Sequence, residues 1–174
     1  EEYGLPRADT ETILPATTWS LENWGEYLLA MSRDDGKLYE WQGDVLTDAA
    51  LIANAPTDCT GMMVTEERFV VCFGADGDPR KVQWSDQEDN TTWTPAATNQ
   101  AGDINLQTNG VILAGLRTRG QSLILTTEDA HTLTYSGPPF VYGVERVGTS
   151  CGLIAARAAA SVDNGVIWMG LRGF

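Results

Sequence analysis

Basic charge is scarce in this 174-residue chain. Eleven lysines and arginines stand against 24 aspartates and glutamates, a formal net charge of −13. Such a surface repels a phosphate backbone, which argues against sequence-independent nucleic-acid binding. It is compatible with DNA sliding past an acidic wall without sticking. No apolar run approaches the roughly 20 residues of a membrane helix, so no membrane span is expected. The three cysteines, Cys59, Cys72 and Cys151, include no Cys-x-x-Cys pair. An odd, sparse set of thiols excludes a disulfide framework and points to a reduced protein. Cys72, inside an apolar strand, reads as a small hydrophobe. There is one histidine, His131. It lacks partners at ligand spacing, so it builds no usual zinc site and reads as a partly exposed strand residue. No glycine-rich phosphate loop occurs. The start, Glu1-Glu2-Tyr3-Gly4-Leu5-Pro6-Arg7, is acidic and polar, unlike a signal peptide. With no initiator Met and an end at Phe174 inside a repeat, a processed or partial chain is expected.

What the chain does have is one short unit, repeated about four times. Tyr27-Leu28-Leu29-Ala30-Met31 precedes Asp34-Asp35-Gly36 and then Leu38-Tyr39-Glu40-Trp41. Phe69-Val70-Val71-Cys72-Phe73 precedes Asp76-Gly77-Asp78-Pro79 and Val82-Gln83-Trp84. Leu123-Ile124-Leu125-Thr126-Thr127 precedes Glu128-Asp129 and Leu133-Thr134-Tyr135, and Val166-Ile167-Trp168-Met169-Gly170 starts a fourth copy. The apolar runs begin at 27, 69, 123 and 166, which makes the gaps 42, 54 and 43 residues. That period, with short strands and Gly/Asp turns, is the signature of a β-propeller blade. An opening strand led by Gly61, Gly110 or Gly152 is expected before the later runs, and the connections 86–102 and 136–143 read as loops. Residues 153–160 combine a strand register with helix-favouring alanines; the register predicts a strand. Trp41, Trp84 and Tyr135 close the third strand of their units and read as packing between adjacent blades.

The motifs with chemical meaning are weak. Gly148-Thr149-Ser150-Cys151-Gly152 fits the nucleophile-elbow pattern, but that arrangement needs a His base after the Ser, and His131 comes before it. Asp34-Asp35-Gly36 and Asp76-Gly77-Asp78 lack the twelve-residue ligand pattern of a calcium loop and read as hairpin turns. Ser85-Asp86-Gln87-Glu88-Asp89-Asn90-Thr91-Thr92-Trp93 loosely resembles the Asp-box turn of sialidase-type propellers, a structural feature in that family. The arginines, from Arg7 to Arg172, show none of that family's catalytic grouping. Asn90-Thr91-Thr92 is a formal glycosylation sequon and reads as a surface loop. No catalytic, cofactor-binding or metal-ligating residue is assigned; no cofactor is expected, and the protein is read as not an enzyme.

Trp19-Ser20-Leu21-Glu22-Asn23-Trp24-Gly25-Glu26-Tyr27-Leu28-Leu29-Ala30 with Gly36-Lys37-Leu38-Tyr39-Glu40-Trp41 resembles a segment of bacteriophage virion proteins. So do Val82 to Asp89 with Trp93-Thr94-Pro95, and Leu123 to Gly137 followed by Val147-Gly148 and Gly152. Over most of residues 19–170 the chain is similar to the propeller-bearing nozzle, or tubular tail, proteins of short-tailed phages. The resemblance implies a structural virion component, assembled in the host cytoplasm and placed in the tail. There it would form part of a homo-oligomeric ring with other tail and neck proteins, with DNA only as passing cargo. Such proteins are usually several times longer, which leaves two expectations, a whole nozzle or only a propeller portion of a virion protein. The expected fold is all-β, a propeller-like repeat of antiparallel blades left incomplete at three to four blades. An extended arm is expected over 1–18 and the repeat domain over 19–174. A closed ring needs at least four blades, so another polypeptide or a symmetry mate is expected to cover the open ends. The alternatives are a carbohydrate- or receptor-binding module using Trp93, Phe140 and Tyr142, and a sialidase- or lyase-type enzyme.

Overall fold

A computed structural model describes residues 17–163, 165–171 and 173; the arm expected over 1–18 lies outside them but for its last two residues. Among the described residues, fourteen strands form three four-stranded antiparallel sheets and one two-stranded sheet. Blade 1 holds β1 (Trp19–Trp24), β2 (Tyr27–Ser32), β3 (Leu38–Trp41) and β4 (Ala50–Leu51). Blade 2 holds β5 (Gly61–Val64), β6 (Val70–Phe73), β7 (Lys81–Trp84) and β8 (Gly102–Asn105). Blade 3 holds β9 (Ile112–Thr118), β10 (Gln121–Thr126), β11 (Asp129–Gly137) and β12 (Val141–Thr149). The last sheet, a half-blade, is β13 (Ala159–Val162) with β14 (Gly165–Trp168). Each sheet runs in chain order, and the first strands β1, β5, β9 and β13 meet in succession. Residues of β1, β5 and β9, with Ala156 and Arg157 from the segment before β13, line a cavity of about 270 Å³. This is the expected propeller-like arrangement, short of half a blade.

The side-chain period of two explains which blade faces which. In β2, Leu29 and Met31 are buried against blade 2, while Leu28 and Ala30 turn the other way and are half-buried. In β6 all four residues are buried, because blade 2 has neighbours on both faces. Val70 and Cys72 pack toward blade 1 with Met62, Val64, Leu38 and Trp24. Val71 and Phe73 pack toward blade 3 with Trp84, Ile112, Ile124 and Leu133. A sheet covered on both faces needs an unbroken apolar run, and β6 supplies one. Two glycines are demanded by this packing. Gly115 of β9 lies under the Phe73 ring, where any Cβ would collide with it. Gly36, at φ +61, turns the β2–β3 hairpin against the backbone of Asp58 and Cys59.

Several local expectations are corrected. Residues 153–158 form neither helix nor strand. Leu153 makes one bridge to Gly170, bends and a turn follow, and the strand begins at Ala159. Tertiary closure, with Ile154 N–H donating to Met169 O, outweighs the helix propensity of the alanines. The segment 136–143 is mostly paired strand, since β11 and β12 extend to a turn at 138–140. The strand after Gly110 begins at Ile112, and the one after Gly152 is delayed to Ala159. The third-strand aromatics do not share one orientation. Trp84 points toward blade 3 and Tyr135 toward blade 2, so both enter the same seam from opposite sides, each about 5–6 Å from the Tyr142 ring. Trp41 points away from blade 2.

Candidate assembly surface

Among the described residues, the ring order leaves one seam unfilled, between the half-blade and blade 1. On the blade 1 side, the face of β1–β3 turned away from blade 2 carries Trp19, Leu21, Leu28, Tyr39 and Trp41. Leu21 is 57% exposed, and the Trp19 and Tyr39 rings lie 6.3 Å apart. The Tyr39 hydroxyl donates to Asp35 Oδ2 at 2.6 Å. That bond favours the neutral phenol, so the Tyr39 pKa lies above its ordinary value. On the half-blade side, Ala159, Ser161, Val166 and Trp168 turn toward blade 3; Ser161 Oγ donates to Arg117 O, and Trp168 Nε1 donates to Cys151 O. Val162, Ile167 and Met169 turn the other way, and Ile167 is 54% exposed. Among the described residues, a hydrogen bond from Arg157 Nη2 to Trp19 O, 2.6 Å, ties the segment before β13 to blade 1.

Among the described residues, the outer edge of the half-blade is also open. Met169 N–H donates to Ala158 O, and with Ala159 opposite Trp168 this sets the phase of the ladder. The N–H and C=O groups of Val166 and Trp168 therefore point away from β13, where blades 2 and 3 have a third strand. Beside that edge lies a cleft of about 850 Å³, between the half-blade and the outer part of blade 3. Its wall includes Leu123, Val147, Val166 and Trp168, with Arg117, Arg119, Glu66 and Asp163 around them.

The turn leading to this region is locked by a buried carboxylate. Asp129 Oδ1 accepts from Thr126 Oγ1 at 2.6 Å and from Thr108 Oγ1 at 2.8 Å. His131 Nε2 lies 3.1 Å away, out of hydrogen-bond alignment, and Arg146 stands 4.0 Å from Oδ2. Burial opposes ionisation of Asp129, but the two hydroxyls and the nearby imidazole outweigh it, and the carboxyl sits below its usual range. His131 is thus buried in blade 3 rather than partly exposed, because β11 is covered by blade 2. Glu22, on β1, is shifted the other way: burial raises its pKa against the pull of Arg117.

The sequence motifs resolve into structure. Thr149 ends β12, Ser150 takes φ +57, and turns rather than a helix follow, so no nucleophile elbow forms. The loop after β7 is a latch. Asp86 N–H donates to Thr92 O, Asp86 Oδ1 accepts from Gln100 N–H, and Trp93 Nε1 donates to Asn90 O. Asn90 is 7% exposed and its amide donates to Glu40 Oε2 of blade 1 at 2.6 Å, so the sequon asparagine is a buried clasp and not a surface site. Trp93 and Tyr142 are core residues; of the three candidate rim aromatics only Phe140, at the β11–β12 turn, faces solvent. Cys59 and Cys72 are buried free thiols, and burial raises the Cys72 thiol pKa further than its neighbour Cys59 does. Among the described residues no cluster of His, Cys, Asp or Glu could hold a metal ion, and no helix is long and apolar enough to cross a membrane. The aromatic and apolar residues of the open seam were visible in the sequence as parts of the repeat. What marks them as a surface is the missing partner sheet, which only the fold reveals.

No family model matches the chain, and no curated protein does. Among solved structures it is similar to the computationally designed Ika4 protein. The TM-score is 0.58 at 16% sequence identity, over 94% of this chain and 91% of that one. At that identity the likeness concerns the fold alone. The protein is an all-β, propeller-like repeat of three antiparallel blades and half of a fourth.

Proposed function

We propose that the protein is a non-enzymatic structural subunit of a bacteriophage tail or neck, of the nozzle type, that forms part of a ring around the DNA exit path. The observation that carries this reading is the open seam. Blades 2 and 3 bury their facing apolar surfaces, whereas, among the described residues, blade 1 and the half-blade leave Trp19, Leu21, Ile167 and Met169 exposed and the outer edge of β14 without a partner strand. Surfaces of this kind are assembly surfaces or aggregation liabilities. A net charge of −13 would keep a lumen wall from holding DNA. The aromatic and turn motifs that resemble phage nozzle proteins point to the same role. The test is light scattering and electron microscopy of particles containing this chain. A ring, or density within a virion tail, is the expected result. A stable, monodisperse monomer without partners would overturn the reading.

A further inference from the structure

The open seam has a definite shape and chemistry, and the complete blades say what fits it. We propose that it is a strand-acceptor site: an extended, basic segment of a partner polypeptide, apolar at alternate positions and carrying an aromatic, adds to the free edge of β14. This inference rests on the assembly reading above and names the partner chemistry of that same surface.

Four features specify the occupant. First, the outward N–H and C=O groups of Val166 and Trp168 demand main-chain partners, which an extended strand provides. Second, a strand laid there has two faces. One turns to the floor at Leu123 and Val147; the other turns to the side of the half-blade where blade 1 follows in the ring, whose outward face carries Tyr39 and Trp41. Charged groups ring that floor (Arg117, Arg119, Glu66 and Asp163), so residues turned to it can be polar, as Lys81 and Gln83 of β7 are, while those turned to blade 1 are apolar. Third, the third strand of blade 2 shows the solution the repeat already uses. There Val82 and Trp84 both reach into the next seam, and Trp84 Nε1 donates to Gln100 O at 2.8 Å. Among the described residues, the same place in the half-blade has no strand. Fourth, Arg117 and Arg119 balance Glu66 and Asp163 in the cleft itself, but the chain as a whole carries 24 acidic against 11 basic residues, so long-range steering favours a basic segment over an acidic one. A second copy of the half-blade does not fit. Antiparallel pairing of two β14 edges relates them by a two-fold axis perpendicular to the sheet. Both copies of blade 3 would then claim one face.

The chain contains a suitable peptide for the test. Pro79-Arg80-Lys81-Val82-Gln83-Trp84-Ser85 is basic and alternates Val and Trp with polar residues. A synthetic peptide of that sequence is titrated into the isotope-labelled chain while backbone amides are followed by NMR. Saturable shifts are expected at Val166 and Trp168, with affinity falling about tenfold when the peptide's Arg80 and Lys81 are both replaced by Glu. Val166→Pro removes an outward N–H without touching the β13 ladder, as an edge proline can, and should abolish the shifts. Val147→Asp, in the floor, should weaken them in a chain whose spectrum is otherwise unchanged. Absence of shifts up to about millimolar peptide, or shifts that survive both variants, overturns the proposal. Failure of the peptide in a chain that still forms rings overturns this inference alone. Binding by a chain that stays monomeric supports the acceptor site and counts against the assembly reading.

Discussion

The seam between blades 2 and 3 and the seam between the half-blade and blade 1 come from one repeat, and they could hardly differ more. In the first, Phe69, Val71, Phe73 and Trp84 meet Ile112, Ile124, Leu133 and Tyr142, all buried. Thr65 Oγ1 and the Tyr142 hydroxyl complete it with a buried hydrogen bond of 2.9 Å. In the second, side chains of the same kinds face water. The difference teaches that a blade's sequence prepares an apolar face without guaranteeing a neighbour. Burial of that face is a property of the ring, and among the described residues the fourth blade has two strands where the others have four.

The sharpest way to break the comparison is to empty the closed seam. Phe73→Ala should cost about 3–5 kcal/mol, because the ring is fully buried and its site is walled by two sheets. Urea unfolding measures this. Gly115→Ala drives a methyl into the same ring and should cost about 1–3 kcal/mol. Because the two sites touch, the double variant should cost less than the sum, and strict additivity would show that the ring and the glycine are not in contact.

A middle-sized effect is expected at Asp129. Its carboxyl is held below the usual range, so the folded state favours the ionised form. The stability it contributes is complete above the unfolded carboxyl pKa of about 4 and is lost as pH falls through its lower folded value. Asp129→Asn should cost about 1–3 kcal/mol at neutral pH and should flatten the acid limb of the stability profile. A variant whose urea midpoint follows the wild-type pH curve would remove this residue from the lock.

The smallest effect is expected at the open seam, and it separates the two regions most directly. Leu21→Ser and Ile167→Ser, at half-exposed positions, should each change the stability of the isolated chain by no more than about 0.5 kcal/mol. The same variants should impair any assembly that uses this surface. A loss of several kcal/mol in the isolated chain would mean that the seam closes on itself in solution.

The sequence was legible where short-range periodicity carries the information. The apolar runs, their acidic turns and the count of three units plus part of a fourth all correspond to sheets. It was least legible in 153–160, where alanine-rich local preference and repeat register disagree, and the strand is decided by the bridge from Leu153 to Gly170 and the contacts of Ala159 and Trp168 with blade 3. His131 shows a related gap. Alternation placed it on a strand, but which face blade 2 would cover was not written in that alternation. Asn90 looked like a surface loop residue because Asn and Thr favour turns, and its clasp to Glu40 spans 50 residues.

By itself, then, the sequence determined the unit: strand, turn, strand, turn, with apolar residues every second position and glycines where a Cβ cannot fit. It determined the acidic surface as well. Only the tertiary structure decided which of those apolar faces are core and which are interface. Side-chain period places a residue on one side of a sheet through local sterics. Whether that side meets another sheet or water depends on closing the ring through contacts far apart in the chain.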